Sequence, residues 1–135
     1  MTGGTQEPLL RYEVRTRRPT RRGNLRVVVD VDGAVRFQRN ETEPPADEGW
    51  AAELPAEPVA TVRNAEARLG RILRSSGFFE MDELQVEETA TDGTVRVLSW
   101  NGAGGPRTVT IDRATPPDFE QLVAKLARLL HVPGM

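Results

Sequence analysis

Few residues in this chain have both the type and the spacing to do chemistry. There is one histidine, His131, and it lies near the C-terminus. A nucleophilic triad needs a histidine beside a nucleophile, and a catalytic zinc needs further ligands around it. The sequence offers His131 neither, and no serine sits in a Gly-x-Ser-x-Gly setting. His131 reads as an exposed residue at a helix end. Asp30-x-Asp32-Gly33 has the opening of a calcium loop, with Glu41 at position twelve. However, Ala34 and Val35 stand where a ligand and the turn glycine are required, so a plain hairpin turn is expected. Gly102-x-Gly104-Gly105 is followed by a strand pattern, whereas a phosphate-cradling loop opens a helix. It reads as a flexible strand connection. Asp82, Glu83, Glu87, Glu88 and Asp92 could divide acid and base roles only if burial drove their pKa values apart. On a polar strand and a turn they form a solvated face.

The chain contains no cysteine, which removes disulfides, thiol nucleophiles and thiolate metal sites together. The reading therefore expects no catalytic residue, no cofactor and no metal, and a protein that works by binding. Charge is unevenly placed. Residues 1–39 carry nine Arg against four acids, whereas 41–57 carry six acids and no base. Arg17, Arg18, Arg21 and Arg22 form the densest basic run. They suit an acidic protein surface better than nucleic acid, because the whole chain has a net charge of −2 and only 5% aromatic residues for base stacking. Seventeen of the eighteen bases are Arg, which we read as codon bias more than as a preference for bidentate contacts. Trp50, in the acidic stretch, reads as a lid folded back on the sheet or as an anchor for a partner.

The elements that must position these residues follow from periodicity. At 135 residues the chain is of single-domain size and can bury a core unaided. No secretory leader pattern opens it and no apolar run reaches the ~20 residues that span a bilayer, so a cytoplasmic protein is expected. Leu10–Thr16 alternates, with Tyr12 and Val14 facing inward. Leu25–Val31 and Ala34–Arg39 flank Asp32-Gly33 as a hairpin and supply Val27, Val29, Val35 and Phe37 to the core. Residues 41–58 read as an irregular acidic linker rich in proline. A helical stripe starts at Val59, includes Leu69, Ile72 and Leu73, and stops at Gly77 before Phe78 and Phe79. A second hairpin is expected from 84–90 and 94–100 around Asp92-Gly93, with Val95 and Val97 inward, then a strand with Val109 and Ile111 inward. Thr115 reads as the cap of a last helix that buries Phe119, Leu122, Val123 and Leu126. The order is β-β-β-α-β-β-β-α, an α+β fold: an antiparallel sheet of about six strands with two helices on one face.

From the first helix onward, Ser75-Ser76-Gly77-Phe78-Phe79, a hairpin, Arg107-Thr108-Val109-Thr110-Ile111 and Pro116-Pro117-Asp118-Phe119 follow in turn. This arrangement, over about residues 60–130, resembles the emfourin-like family, small cytoplasmic inhibitors of protealysin and related thermolysin-like metalloproteases. The resemblance implies a rigid bacterial scaffold that presents a loop to a protease cleft. The N-terminal half matches the family only in its early strands, and no inhibitory residue is carried over. The loops that could serve are Arg17–Gly23, the Trp50 linker and Asn101–Pro106 with Arg107 beside it. Two alternatives stand beside the inhibitor. One is an interaction module of other purpose, such as a subunit or immunity domain. The other is a nucleic-acid-binding domain that uses the basic N-terminal half.

Overall fold

A computed structural model describes residues 7–16, 24–40, 54–87, 94–132 and 135. The chain is α+β, as its periodicities predict. Its strands are β1 (Leu10–Thr16), β2 (Asn24–Val29), β3 (Ala34–Asn40), β4 (Ala60–Thr61), β5 (Leu84–Val86), β6 (Thr94–Trp100) and β7 (Arg107–Asp112). They form one sheet in the order β4-β3-β2-β1-β6-β7-β5. Every pairing is antiparallel except that of β5 with β7. The helices are α1 (Ala65–Ser75) and α2 (Pro117–Leu130), with a 3-10 turn at Phe78–Glu80.

Both helices lie on the same side of the sheet. The Phe119 ring of α2 sits 6.5 Å from the Tyr12 ring of β1, and Gly70 of α1 lies against the Trp100 indole of β6. This face holds the core. Leu10, Tyr12, Val27, Val29, Leu98 and Trp100 are buried in register across the three central strands. Helix α2 adds Phe119, Leu122, Val123 and Leu126, as its stripe predicts. Gly77 ends α1 with φ 76, and Phe78 behind it is fully buried. Phe79 stacks on it edge-on at 5.3 Å and is half-buried.

Four expectations need correction. Helix α1 starts at Ala65, not Val59, because Ala60–Thr61 pairs with β3 first. Val59 itself is 52% exposed, with its amide donating to the Val35 carbonyl at 2.8 Å. Val62, just after β4, falls in phase with the helical stripe, which therefore runs on past the start of the helix. Strand β5 does not form a hairpin with β6, since one edge of β6 is taken by β1 and the other by β7. It runs instead beside β7, parallel to it, at the rim of the sheet. The inward phase of β6 is Arg96, Leu98 and Trp100, which leaves Val95 and Val97 half-buried on the opposite face. Both phases of this strand are apolar in sequence; pairing of Leu10 with Trp100 and Tyr12 with Leu98 selects the bulkier set. Last, the cap of α2 is Pro116, and Thr115 makes no cap bond.

The turn at Asp32-Gly33 forms as expected. The Asp32 carboxylate accepts from the Ala34 amide at 3.0 Å, and Gly33 adopts φ 91. A second constraint acts there too. The Gly33 carbonyl accepts from Val62 at 2.9 Å, and a Cβ on Gly33 would lie 2.1 Å from the Val62 carbonyl oxygen. The turn is therefore clasped by the segment entering α1. Among the described residues, no helix is long and apolar enough to cross a membrane.

Candidate functional site

The alternation that buries Tyr12 and Val27 turns Arg11, Glu13, Arg15 and Arg26 to the other side of the sheet. No described helix covers that side. Glu13 lies at its centre and is 9% exposed. Its carboxylate takes Arg15 at 3.1 Å and Arg11 at 3.9 Å, while those two side chains stay 42% and 45% exposed. Arg26, opposite Glu13 on β2, donates to the Gln38 side chain of β3 at 2.6 Å. Its pKa is lowered, first by burial; Glu13 holds it up, and Arg11 and Arg15 push it further down. Arg36 closes the basic half of the face, bonded to Asp30 at 2.5 Å and to the Ala56 carbonyl at 3.1 and 3.2 Å. Val28 is buried on this face, between Arg11 and Arg36 in the ladder.

The other half of the same face, on β6, β7 and β5, changes character. Val95 and Val97 are half-buried there, and Leu84 and Val86 are 63% and 42% exposed. Between them lie Thr108 and Thr110, with the Thr108 hydroxyl 3.0 Å from that of Ser99. Among the described residues, this face is thus basic on one side of β1 and largely aliphatic on the other.

At one end of the sheet the loop Asn101–Pro106 is exposed along most of its length, yet it is braced at several points. The Asn101 amide donates to the Leu9 carbonyl at 2.9 Å, and its side chain donates to the Pro8 carbonyl at 3.0 Å. The Trp100 indole N–H donates to the Ala103 carbonyl at 3.0 Å, and the Ala103 amide donates to Glu66 of α1 at 2.8 Å. Gly102 lies flat against the Trp100 ring, where a Cβ would approach to 2.3 Å. The expectation of a flexible connection is corrected: the glycines let the loop wrap an indole. No family model matches the chain, and no curated protein matches it.

Of the residues selected from sequence as partner contacts, Asn101 and Arg107 are internal braces. Arg107 donates to the Phe78 carbonyl at 3.2 Å and to the Met81 carbonyl, and it pairs with Glu83 at 3.4 Å. Arg17, Arg18, Arg21, Arg22 and Trp50 lie outside the described residues, as does the Asp92-Gly93 turn. The cluster on β1 and β2 is not among the contacts selected from sequence, although Arg11, Glu13 and Arg15 are expected on one side of the first strand. Its signal was the Arg-x-Glu-x-Arg repeat of Arg11, Glu13 and Arg15, which strand alternation places on one face.

Two further features are more enclosed. An open cleft of about 350 Å³ lies between the 3-10 turn and the start of α2, with Glu80, Asp82, Asp118 and Phe119 among its walls. Among the described residues, no group of acidic or histidine side chains is placed to hold a metal ion. Under α2, Arg96 reaches into the core face. It pairs with Glu120, donates to the Ala114 carbonyl at 3.0 Å and stacks 5.1 Å from the centre of the Phe119 ring. Burial pulls its pKa down, but the bond to Glu120 and the attraction of Tyr12 outweigh that, and the net shift is upward. Burial likewise raises the Tyr12 hydroxyl, against the opposing pull of Arg96. This is how a charge is tolerated on the inward phase of β6: it is paired, hydrogen-bonded and laid on a ring.

Proposed function

We propose that this chain is a protein-binding module acting as an intracellular inhibitor of a thermolysin-like metalloprotease through the loop Asn101–Pro106. The observation that carries the reading is the bracing of an exposed loop. Four hydrogen bonds and a stacked indole tie it to the N-terminal segment, to α1 and to Trp100 of β6. A loop held in one shape before binding loses little entropy when it docks, which is what separates an inhibitor from a substrate. The protease class comes from the resemblance of residues 60–130 to the emfourin-like inhibitors.

The test is to pre-incubate the protein with thermolysin and titrate the remaining proteolytic activity. Stoichiometric loss of activity with the chain left intact is expected. Ala103→Lys, at the exposed tip and adding no negative charge beside Glu66, should weaken inhibition with little change in melting temperature. Full activity at excess inhibitor, or cleavage within 101–106, would remove the inhibitor assignment.

A further inference from the structure

Of the asparagines in the chain, Asn24, Asn40, Asn64 and Asn101, only Asn101 is followed by glycine. The fold requires both members of that pair. A Cβ on Gly102 would lie 2.3 Å from the Trp100 ring, which is itself fully buried, so a side chain has no room there. The Asn101 side chain donates to the Pro8 carbonyl at 3.0 Å, which an amide can do and a carboxylate cannot. The pair also has a chemistry of its own. The side-chain amide of asparagine is thermolabile. A following glycine has no side chain to keep its nitrogen away from the amide carbon. Asn101 is exposed, so water reaches it.

We propose that Asn101-Gly102 is a site of spontaneous deamidation, and that the conversion removes one of the ties between the loop and the N-terminal segment. The Gly102 backbone nitrogen gives up its proton and attacks Cγ of Asn101. The N–Cγ bond forms and the Cγ–Nδ2 bond breaks. Nδ2 leaves as ammonia, with a proton that replaces the one lost by Gly102. Water then adds to either carbonyl of the five-membered imide and reopens the ring, as aspartate or as isoaspartate. The net exchange is one water for one ammonia, with no oxidant or reductant. Aspartate sets a carboxylate against the Pro8 carbonyl, two acceptors with no proton between them. Isoaspartate routes the main chain through the side-chain carbon, which shifts Gly102 against the Trp100 ring where there is no slack. Two bonds stay in place: the Asn101 amide to Leu9 at 2.9 Å and the Ala103 amide to Glu66 at 2.8 Å. Both hold less firmly once the Pro8 tie is gone, because all three anchor one short loop. The inference goes beyond the inhibitor reading and makes no use of the protease.

The experiment ages the whole protein in mildly alkaline buffer and maps it by peptide mass spectrometry. A free peptide of sequence 97–107 serves as the clock. Over the time in which that peptide converts fully, Asn101 is expected to show the mass gain of amide-to-acid conversion, while Asn24, Asn40 and Asn64 keep their amides. Asn101→Gln, whose longer side chain closes the ring poorly, should keep its amide under the same treatment. Asn101→Asp reads the consequence without ageing. Hydrogen exchange of the amide at that position and of the Ala103 amide should quicken by about fivefold, the value of one lost hydrogen bond, while Leu98 and Val109 in the sheet keep the wild-type rate. If exchange also rises across the sheet of that variant, the aged wild type, separated by its added negative charge on an ion-exchange column, gives the same reading. An Asn101 amide that survives after the free peptide has converted overturns the proposal, because the brace then protects the site. Wild-type exchange in the loop of the folded Asn101→Asp variant, or of the aged and separated chain, overturns it as well.

Discussion

The two faces of the sheet are built from the same strands, one residue out of phase, and they do opposite things. Leu10, Tyr12, Val27 and Val29 turn one way into a sealed core, while Arg11, Glu13, Arg15 and Arg26 turn the other way, where Glu13 is buried among arginines and Arg11 and Arg15 reach solvent. Strand β6 is where the difference is sharpest. Its inward set contains a charge, Arg96, and its outward set contains two valines. Stability on the inward face comes from area and packing. Among the described residues, the outward face is set by charge pairs and leaves aliphatic surface exposed at Leu84 and Val86. Mutations should therefore separate: inward changes should alter stability far more than outward ones.

The largest effect should come from Trp100→Ala. Trp100 is fully buried, and both Gly70 of α1 and Gly102 of the loop pack on its ring. We expect a loss of about 3–5 kcal/mol in denaturant unfolding, the range for deleting a large buried aromatic. A loss below about 1 kcal/mol would show that the core face does not depend on its largest side chain. Next comes Gly33→Ala, where the added Cβ would collide with the Val62 carbonyl and the φ of 91 would be strained. A loss on the order of 2–3 kcal/mol is expected, and the same substitution at the open position of Gly77 should cost less.

A pH series gives a smaller effect of defined sign. Burial raises the Tyr12 pKa in the folded protein above its ordinary value near 10.0. The folded state holds that proton more tightly than the unfolded state. The contribution is fully present below the unfolded pKa and is lost as pH rises through the folded one. Wild type should therefore lose stability relative to Tyr12→Phe above about pH 10 in paired thermal melts. Parallel curves across that range would contradict the burial of the hydroxyl. The smallest effect belongs to the outward face: Arg11→Ala and Arg15→Ala should each change stability by about 0–1 kcal/mol, as exposed ion pairs do. A larger loss in a chemical melt would mean that the outward face is structural after all, and the contrast between the faces would collapse.

Much of the inward face could be read from the sequence. Period-two alternation in β1, β2 and β3 and the stripe of α2 each admit one solution, because one phase is polar and the other apolar. The misreadings arose where both phases are apolar, or where a short element shares the phase of a longer one. Val95 and Val97 compete with Leu98 and Trp100, and only pairing with β1 decides between them. Val62 lies in phase with α1 although the chain there has just left a strand. The site residues were harder still. Asn101 and Arg107 look like free polar groups in sequence, yet their partners are backbone carbonyls at Pro8, Phe78 and Met81. Carbonyls carry no residue identity, so no pattern of side chains announces such a brace.

The strands nearest in sequence to α1 end up farthest apart. β4 pairs at one rim of the sheet and β5 at the other, and residues 62–83 with α1 join them across the core face. The sheet is thus held like a bent bow by its string, with both tips tied to one helix. Neither tip offers more than three residues of strand. The same tie resists peeling of either end alone.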